Sequence, residues 1–180
     1  SGLGGPAVHL ARKLRQCLSS TISVKVSGVT LTENAINISK DLAKHNSVSE
    51  CTDFFIGDYH NLEGLFRSGE YDSVILTNAL CHSREPWKVL SEAHRCLKDD
   101  GILFVKDLYS ISNIETSASK LTLLKQFSEN LHMAFHSSSG ISKMVIDCGF
   151  IDCEFIPLHK DTSIGGSASF AKACFNGPEV

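Results

Sequence analysis

Apolar positions recur along this chain with two alternating periods. Ala7, Leu10, Ala11, Leu14 and Leu18 stand at helical spacing, on one face of a helix that Pro6 opens. Ile22-Ser23-Val24-Lys25-Val26 then alternates apolar with polar residues and is β-branched, which predicts a strand. It runs out at Gly28-Val29-Thr30-Leu31-Thr32, where Thr32 starts a second helix with Ala35, Ile38 and Leu42 on one face. Thr52 to Ile56 predicts a short strand ending at Gly57-Asp58-Tyr59, and Leu62 to Phe66 a short helix. Tyr71 to Leu76 is the next strand, opening onto Thr77-Asn78-Ala79-Leu80-Cys81-His82. Pro86 begins a helix whose apolar residues are Val89, Leu90, Ala93, Cys96 and Leu97. Asp99-Asp100-Gly101 turns the chain into a strongly apolar strand, Ile102 to Asp107.

The later residues are patterned differently. Residues 110–139, with Leu121, Leu124, Phe127, Leu131 and Phe135 at helical spacing, predict an inserted helical cap. Ile141, Met144, Val145 and Cys148 mark a further helix, closed by Gly149. Phe150 to Leu158 and Ser167 to Phe175 are two strands across a loop holding Asp161, Gly165 and Gly166. The whole pattern predicts an α/β fold: a Rossmann-like, doubly wound, mostly parallel sheet with helices on both faces. The helical cap and a C-terminal antiparallel edge hairpin complete one domain over 1–180.

Composition narrows the class. A chain of 180 residues suffices for one domain with a substantial core. A net charge of −3 argues against a dedicated nucleic-acid surface. No apolar run approaches about 18 residues, so nothing is expected to span a membrane. The seven cysteines are odd in number, scattered and without a C-x-x-C pair. They read as reduced core residues of a cytoplasmic protein, and the usual metal-ligand spacings are missing, so no metal is expected.

The candidate chemistry lies at the turns. Ser1-Gly2-Leu3-Gly4-Gly5-Pro6-Ala7 is a glycine-rich turn running straight into a helix, where free N–H groups and the positive dipole end suit a polar ligand. In a parallel sheet, ligands bind outside the carboxyl ends of the strands. Thr30, Asp58, Asn78 and Asp107 all stand at such ends, and the glycine turn joins them if a strand precedes it. The sequence begins inside that turn. The expectation is therefore a longer parent chain, whose preceding residues form an apolar strand ending in an acid and then glycine; a parent chain or an oligomer would cover the exposed neighbours.

Taken in order, Ser-Gly-Leu-Gly-Gly-Pro-Ala, Gly28-Val-Thr-Leu-Thr32, Gly57-Asp58, Tyr71-Asp72, Asn78-Ala-Leu-Cys-His82 and Glu92-Ala-His-Arg95-Cys-Leu97-Lys98-Asp-Asp-Gly101 resemble a class I S-adenosylmethionine-dependent methyltransferase. The resemblance covers residues 1 to about 158 and is nearest the branch that methylates small molecules such as sterols and tocopherols. It implies S-adenosylmethionine as cofactor, with Gly2 and Gly4 against its methionine and sugar. Thr30 and Leu31 would lie by the ribose and adenine; most members carry an acid there, and this chain has Thr30. Asp58 would accept from the adenine amino group, Tyr59 would lie beside the ring, and Asn78 would face the methionine end. Asp72 matches a structural position. Read without the family, Asp58 is equally a turn residue.

Methyl transfer needs donor, acceptor and leaving sulfur in line, and much of its acceleration can come from positioning. One base, or none, is needed, and His82, just past the strand, is the candidate, against a reading as a pocket-wall or capping residue. His132 and His136 in the cap, and Tyr109, could also reach an acceptor, while Arg95 and Lys98 read as a solvated helix face. The function expected is methyl transfer to a small-molecule acceptor by in-line displacement. The alternative is a non-catalytic domain of the same fold acting as a scaffold or partner-binding module. A nicotinamide oxidoreductase would want an acid after the second strand, where Thr30 and Thr32 stand instead.

Overall fold

The structure, a computed structural model, describes residues 2–110, 126, 129, 133–134, 136–157 and 167–174. It divides into two units, Ser1–Leu65 and Phe66–Val180. The first unit runs α1 (Gly5–Cys17), β1 (Val26–Thr30), α2 (Glu33–His45) and β2 (Thr52–Ile56). Pro6 sits in the first turn of α1, behind Gly4 at φ +83°. Thr32 caps α2, its hydroxyl accepting from the Ala35 N–H at 3.3 Å. β1 and β2 pair in parallel, from Val26 opposite Thr52 to Thr30 opposite Ile56, with α2 as the crossover. Ala7, Val8 and Ala11 of α1, Ile36 and Ala43 of α2, and Val26, Val48 and Phe54 form one buried cluster.

Three expectations shift here. The strand foreseen at Ile22–Val26 lies four residues later, because the ladder with β2 begins at Val26. Ile22 instead closes a turn, its N–H on the Ser19 carbonyl at 2.9 Å. On α2 the core face carries Ile36 and Ser39, while Ile38 is exposed. The helix foreseen at Leu62–Phe66 is a turn, with the Leu65 N–H on the Leu62 carbonyl at 2.9 Å. Five residues containing Gly64 are too few to sustain a helix.

The second unit contains β3 (Tyr71–Thr77), α3 (Pro86–Cys96), β4 (Leu97–Ser110), β5 (His136–Ser137), α4 (Ser138–Asp147), β6 (Glu154–Pro157) and β7 (Ser167–Cys174). Its strand order is β3-β4-β7-β6, with β5 also on β4. β3 and β4 are parallel, from Ser73 opposite Ile102 to Thr77 opposite Lys106. β7 is antiparallel to both β4 and β6, so the antiparallel pair exists, and of its two strands β6 is the edge one among the described residues. Val89, Leu90, Ala93 and Cys96 of α3 are buried, as are Leu103, Val105, Ile141, Val145 and Phe150. Gly149 closes α4 at φ +100°, the left-handed end that helices commonly take at glycine.

Asp99-Asp100-Gly101 is not a separate turn. Tyr71 pairs with Leu97 and Ser73 with Ile102, so the extra residues are absorbed as an irregularity inside β4. Phe150 lies in the core ahead of β6, which starts at Glu154. Lys98 is exposed, as a solvated face requires, while Arg95 is half-buried. Arg95 makes two bonds to the Glu92 carboxylate, at 3.0 and 2.9 Å, and donates to the Phe66 carbonyl at 3.0 Å. Lys98 pairs with Asp72 at 2.6 Å. Of the cap, Leu121, Leu124, Phe127, Leu131, His132 and Phe135 lie outside the described residues, as do Asp161, Gly165 and Gly166 of the hairpin loop. The described end of that stretch is strand β5 and the start of α4. Among the described residues no helix is long and apolar enough to cross a membrane.

Candidate active site

In the first unit, the candidate residues gather at the amino end of α1 and the carboxyl ends of β1 and β2. Gly2 and Gly4 both hold positive φ, +53° and +83°, and among the described residues no side chain caps α1. Its first amides therefore stay available to a ligand. Gly4 is buried against α2: a Cβ there would lie 2.6 Å from the Ser39 Cβ and 2.9 Å from its Cα. A Cβ on Gly2 would meet nothing within 4 Å. The Gly57 N–H donates to the Thr30 carbonyl at 3.0 Å, tying the two strand ends together. Thr30 is half-buried there, and Leu31 is 65% exposed.

Asp58 opens the turn after β2, with its side chain 58% exposed. Its Oδ1 accepts from the His60 N–H at 2.9 Å and from the His60 ring at 2.6 Å. These two bonds, backbone first, hold the Asp58 carboxyl below its ordinary range. The turn reading of Asp58 is thus correct in itself, and it leaves an ionised carboxylate facing outward. Tyr59 packs on His60, ring centroids 4.6 Å apart.

In the second unit, the carboxyl ends of β3 and β4 carry Asn78, His82 and Asp107. Asn78 adopts φ +48°, a left-handed conformation that asparagine tolerates, and its N–H donates to the Lys106 carbonyl at 2.7 Å. Asp107, only 2% exposed, accepts from the N–H groups of Leu80 and Cys81 at 2.8 and 3.2 Å. It thereby holds the short 3-10 turn Leu80–His82, at whose end His82 is exposed. Burial, joined by the hydrogen bond and charge of Asp107, pushes the Cys81 thiol up to about 12. His136 pairs with Tyr109 across β4 and β5, and the Ala134 N–H donates to the Cys81 carbonyl at 2.6 Å. The His136 Nε2 is buried and has no hydrogen-bond partner among the described residues.

The sequence reading therefore named the glycine turn, Thr30, Leu31, Asp58, Tyr59, Asn78 and His82, and each stands at an element end. It passed over His60 and gave Asp107 no task. A recess of about 340 Å³, lined by Gly69, His94, Arg95, Leu97, Lys98 and Phe150, lies instead at the amino end of β4. Among the described residues no group of three His, Cys, Asp or Glu side chains could hold a metal ion.

Comparison with known proteins gives this geometry a family. Residues 2–105, more than half of the chain, match the methyltransferase domain family. Norajmaline N-methyltransferase of Rauvolfia serpentina is 24% identical over 144 residues, covering 77% of this chain. The chain spans 46% of that curated relative's length. Geranyl diphosphate C-methyltransferase from Streptomyces coelicolor superposes with a TM-score of 0.75 at 14% identity, over 97% of this chain and 69% of that one. The [4+2]-cyclase SpnF superposes with a TM-score of 0.72 at 17% identity, over 98% of this chain and 73% of that one. At these identities the superpositions establish the Rossmann-like fold alone. On the family match, the chain belongs to the methyltransferase domain family, the S-adenosylmethionine-dependent methyltransferases of Rossmann-like fold.

Proposed function

We propose that this chain forms the cofactor-binding part of a cytoplasmic methyltransferase that acts on a small molecule. The observation that carries the reading is in the first unit. The unit holds a helix start behind two positive-φ glycines, and an outward carboxylate just past strand ends that Gly57 and Thr30 tie together. That donor and acceptor set fits S-adenosylmethionine, whose carboxylate and sugar can take the amides and whose adenine amino group can donate to Asp58. When bound, S-adenosylmethionine supplies an electrophilic methyl group on a sulfonium centre.

The chain's own residues hold and orient. Gly2 and Gly4 bring the main chain against the methionine and sugar. Thr30 and Leu31 border the ribose and adenine, Tyr59 flanks the ring, and Asn78 serves the methionine end. His82 takes up the proton that a hydroxyl or amine acceptor releases as it is methylated. A small-molecule acceptor is supported by the names of the relatives, norajmaline and geranyl diphosphate methyltransferases. A second reading, a scaffold domain of the same fold, is favoured by Thr30 standing where an acid is usual.

Calorimetric titration with S-adenosylmethionine and S-adenosylhomocysteine separates the two. Binding that Asp58→Ala weakens about tenfold, the worth of one charge-assisted hydrogen bond, supports the enzyme. No binding of either compound leaves the scaffold.

A further inference from the structure

The turn after β2 contains a pair whose geometry goes beyond closing a turn. Asp58 Oδ1 receives both His60 donors, the backbone N–H at 2.9 Å and the ring Nδ1 at 2.6 Å. An ionised carboxylate only accepts, so Nδ1 carries the proton of that bond. The His60 side chain is 25% exposed against 58% for Asp58, and its ring is braced by Tyr59, tilted 34° to it. The histidine is therefore the anchored partner and the carboxylate the presented one. Both bonds fall on one oxygen, and no hydrogen bond among the described residues uses Oδ2. A carboxylate with one oxygen clamped and the other turned outward is a directed acceptor for a planar amino group.

We infer that His60 is a positioning residue that aims Asp58 at the adenine amino group, so that adenine recognition belongs to the Asp58–His60 pair. The inference rests on the cofactor reading proposed above. It differs from a turn-closing role in its consequence: removing His60 impairs recognition of the amino group in particular, and not binding of the nucleoside in general. Losing the clamp frees the carboxylate to rotate into solvent, and the cost appears only with a ligand that donates to it.

The test compares S-adenosylhomocysteine with S-inosylhomocysteine, which carries a carbonyl oxygen in place of the amino group. Both are titrated calorimetrically into the wild type, His60→Ala and His60→Asn, with folding checked by circular dichroism. The wild type prefers S-adenosylhomocysteine by roughly tenfold or more. His60→Ala loses most of that preference by weakening S-adenosylhomocysteine while leaving the inosine compound nearly unchanged. His60→Asn, whose side-chain amide can donate to Oδ1 in place of the ring, restores the preference. Equal weakening of both ligands in His60→Ala, or an unaltered preference, would overturn the inference and leave only a turn. Equal binding of both by the wild type would overturn it too, by removing Asp58 from adenine recognition. A wild type that binds neither compound sinks the cofactor reading itself, and the inference with it.

Discussion

Gly2 and Gly4 share a backbone conformation but not a surrounding. Each holds positive φ, where an L side chain is strained by about 1–2 kcal/mol. Only at Gly4 would a Cβ also strike its neighbour, Ser39 of α2, whose hydroxyl is already committed to the Ala35 carbonyl at 2.7 Å. The backbone of α2 cannot yield as a flexible side chain would, so overpacking adds about 1–3 kcal/mol. Gly4→Ala is thus expected to lower stability by about 3 kcal/mol, read as a shifted urea midpoint. Gly2→Ala meets open space and bears only the strain, yet it covers the amides that a ligand would approach. It should fold with about 1–2 kcal/mol lost and bind S-adenosylhomocysteine more weakly. If both variants fold equally well, Gly4 is not the packing residue the structure makes it.

The turn between β3 and α3 depends on a side chain from another element. Asp107 on β4 takes the Leu80 and Cys81 amides, both on fully buried residues, so truncating it leaves two donors without water or partner. Asp107→Ala is expected to cost about 2–3 kcal/mol in urea unfolding. It should also make Cys81 alkylate faster, since the carboxylate helps hold that thiol near 12. Unchanged stability would show that the turn stands without Asp107. What the sequence disclosed of such elements depended on how local their causes are. α3 and β3 were legible because Pro86, the spacing of Val89, Leu90 and Ala93, and the run from Val74 to Leu76 act within a few residues. β1 was misread by four residues because its limits are set by pairing with β2, a contact across α2. Asn78 and Asp58 were legible as strand-end residues. The grip of Asp107 on residues 80 and 81 spans the whole of α3, and no spacing rule reaches that far. His60 left a signal two residues from Asp58, the reach of an Asx turn, which a sequence reader could have found.

At the scale of the molecule, the described strands form two sheets with edges of their own. Among the described residues β3 pairs with β4 and with no strand on its other side, and β1 pairs with β2 and with no other strand. Ile75 of β3 is 44% exposed, and Ile56 at the end of β2 and Leu31 just beyond β1 are also exposed. Single exposed apolar residues are ordinary, but an apolar residue beside the edge of a sheet can seat a strand of another chain. The β3 edge should therefore recruit a second copy of the chain when concentration allows. Sedimentation velocity over a wide concentration range is expected to show association that rises with concentration and is little changed by salt, since the contact is apolar and backbone-borne. Ile75→Lys places a hydrated charge beside that edge, as edge strands commonly carry, and should restore the monomer without disturbing the β3–β4 ladder. A wild type that stays monomeric throughout would mean that the edge is covered in solution by residues outside the ladder. A lysine variant that associates as strongly would move the contact elsewhere on the surface.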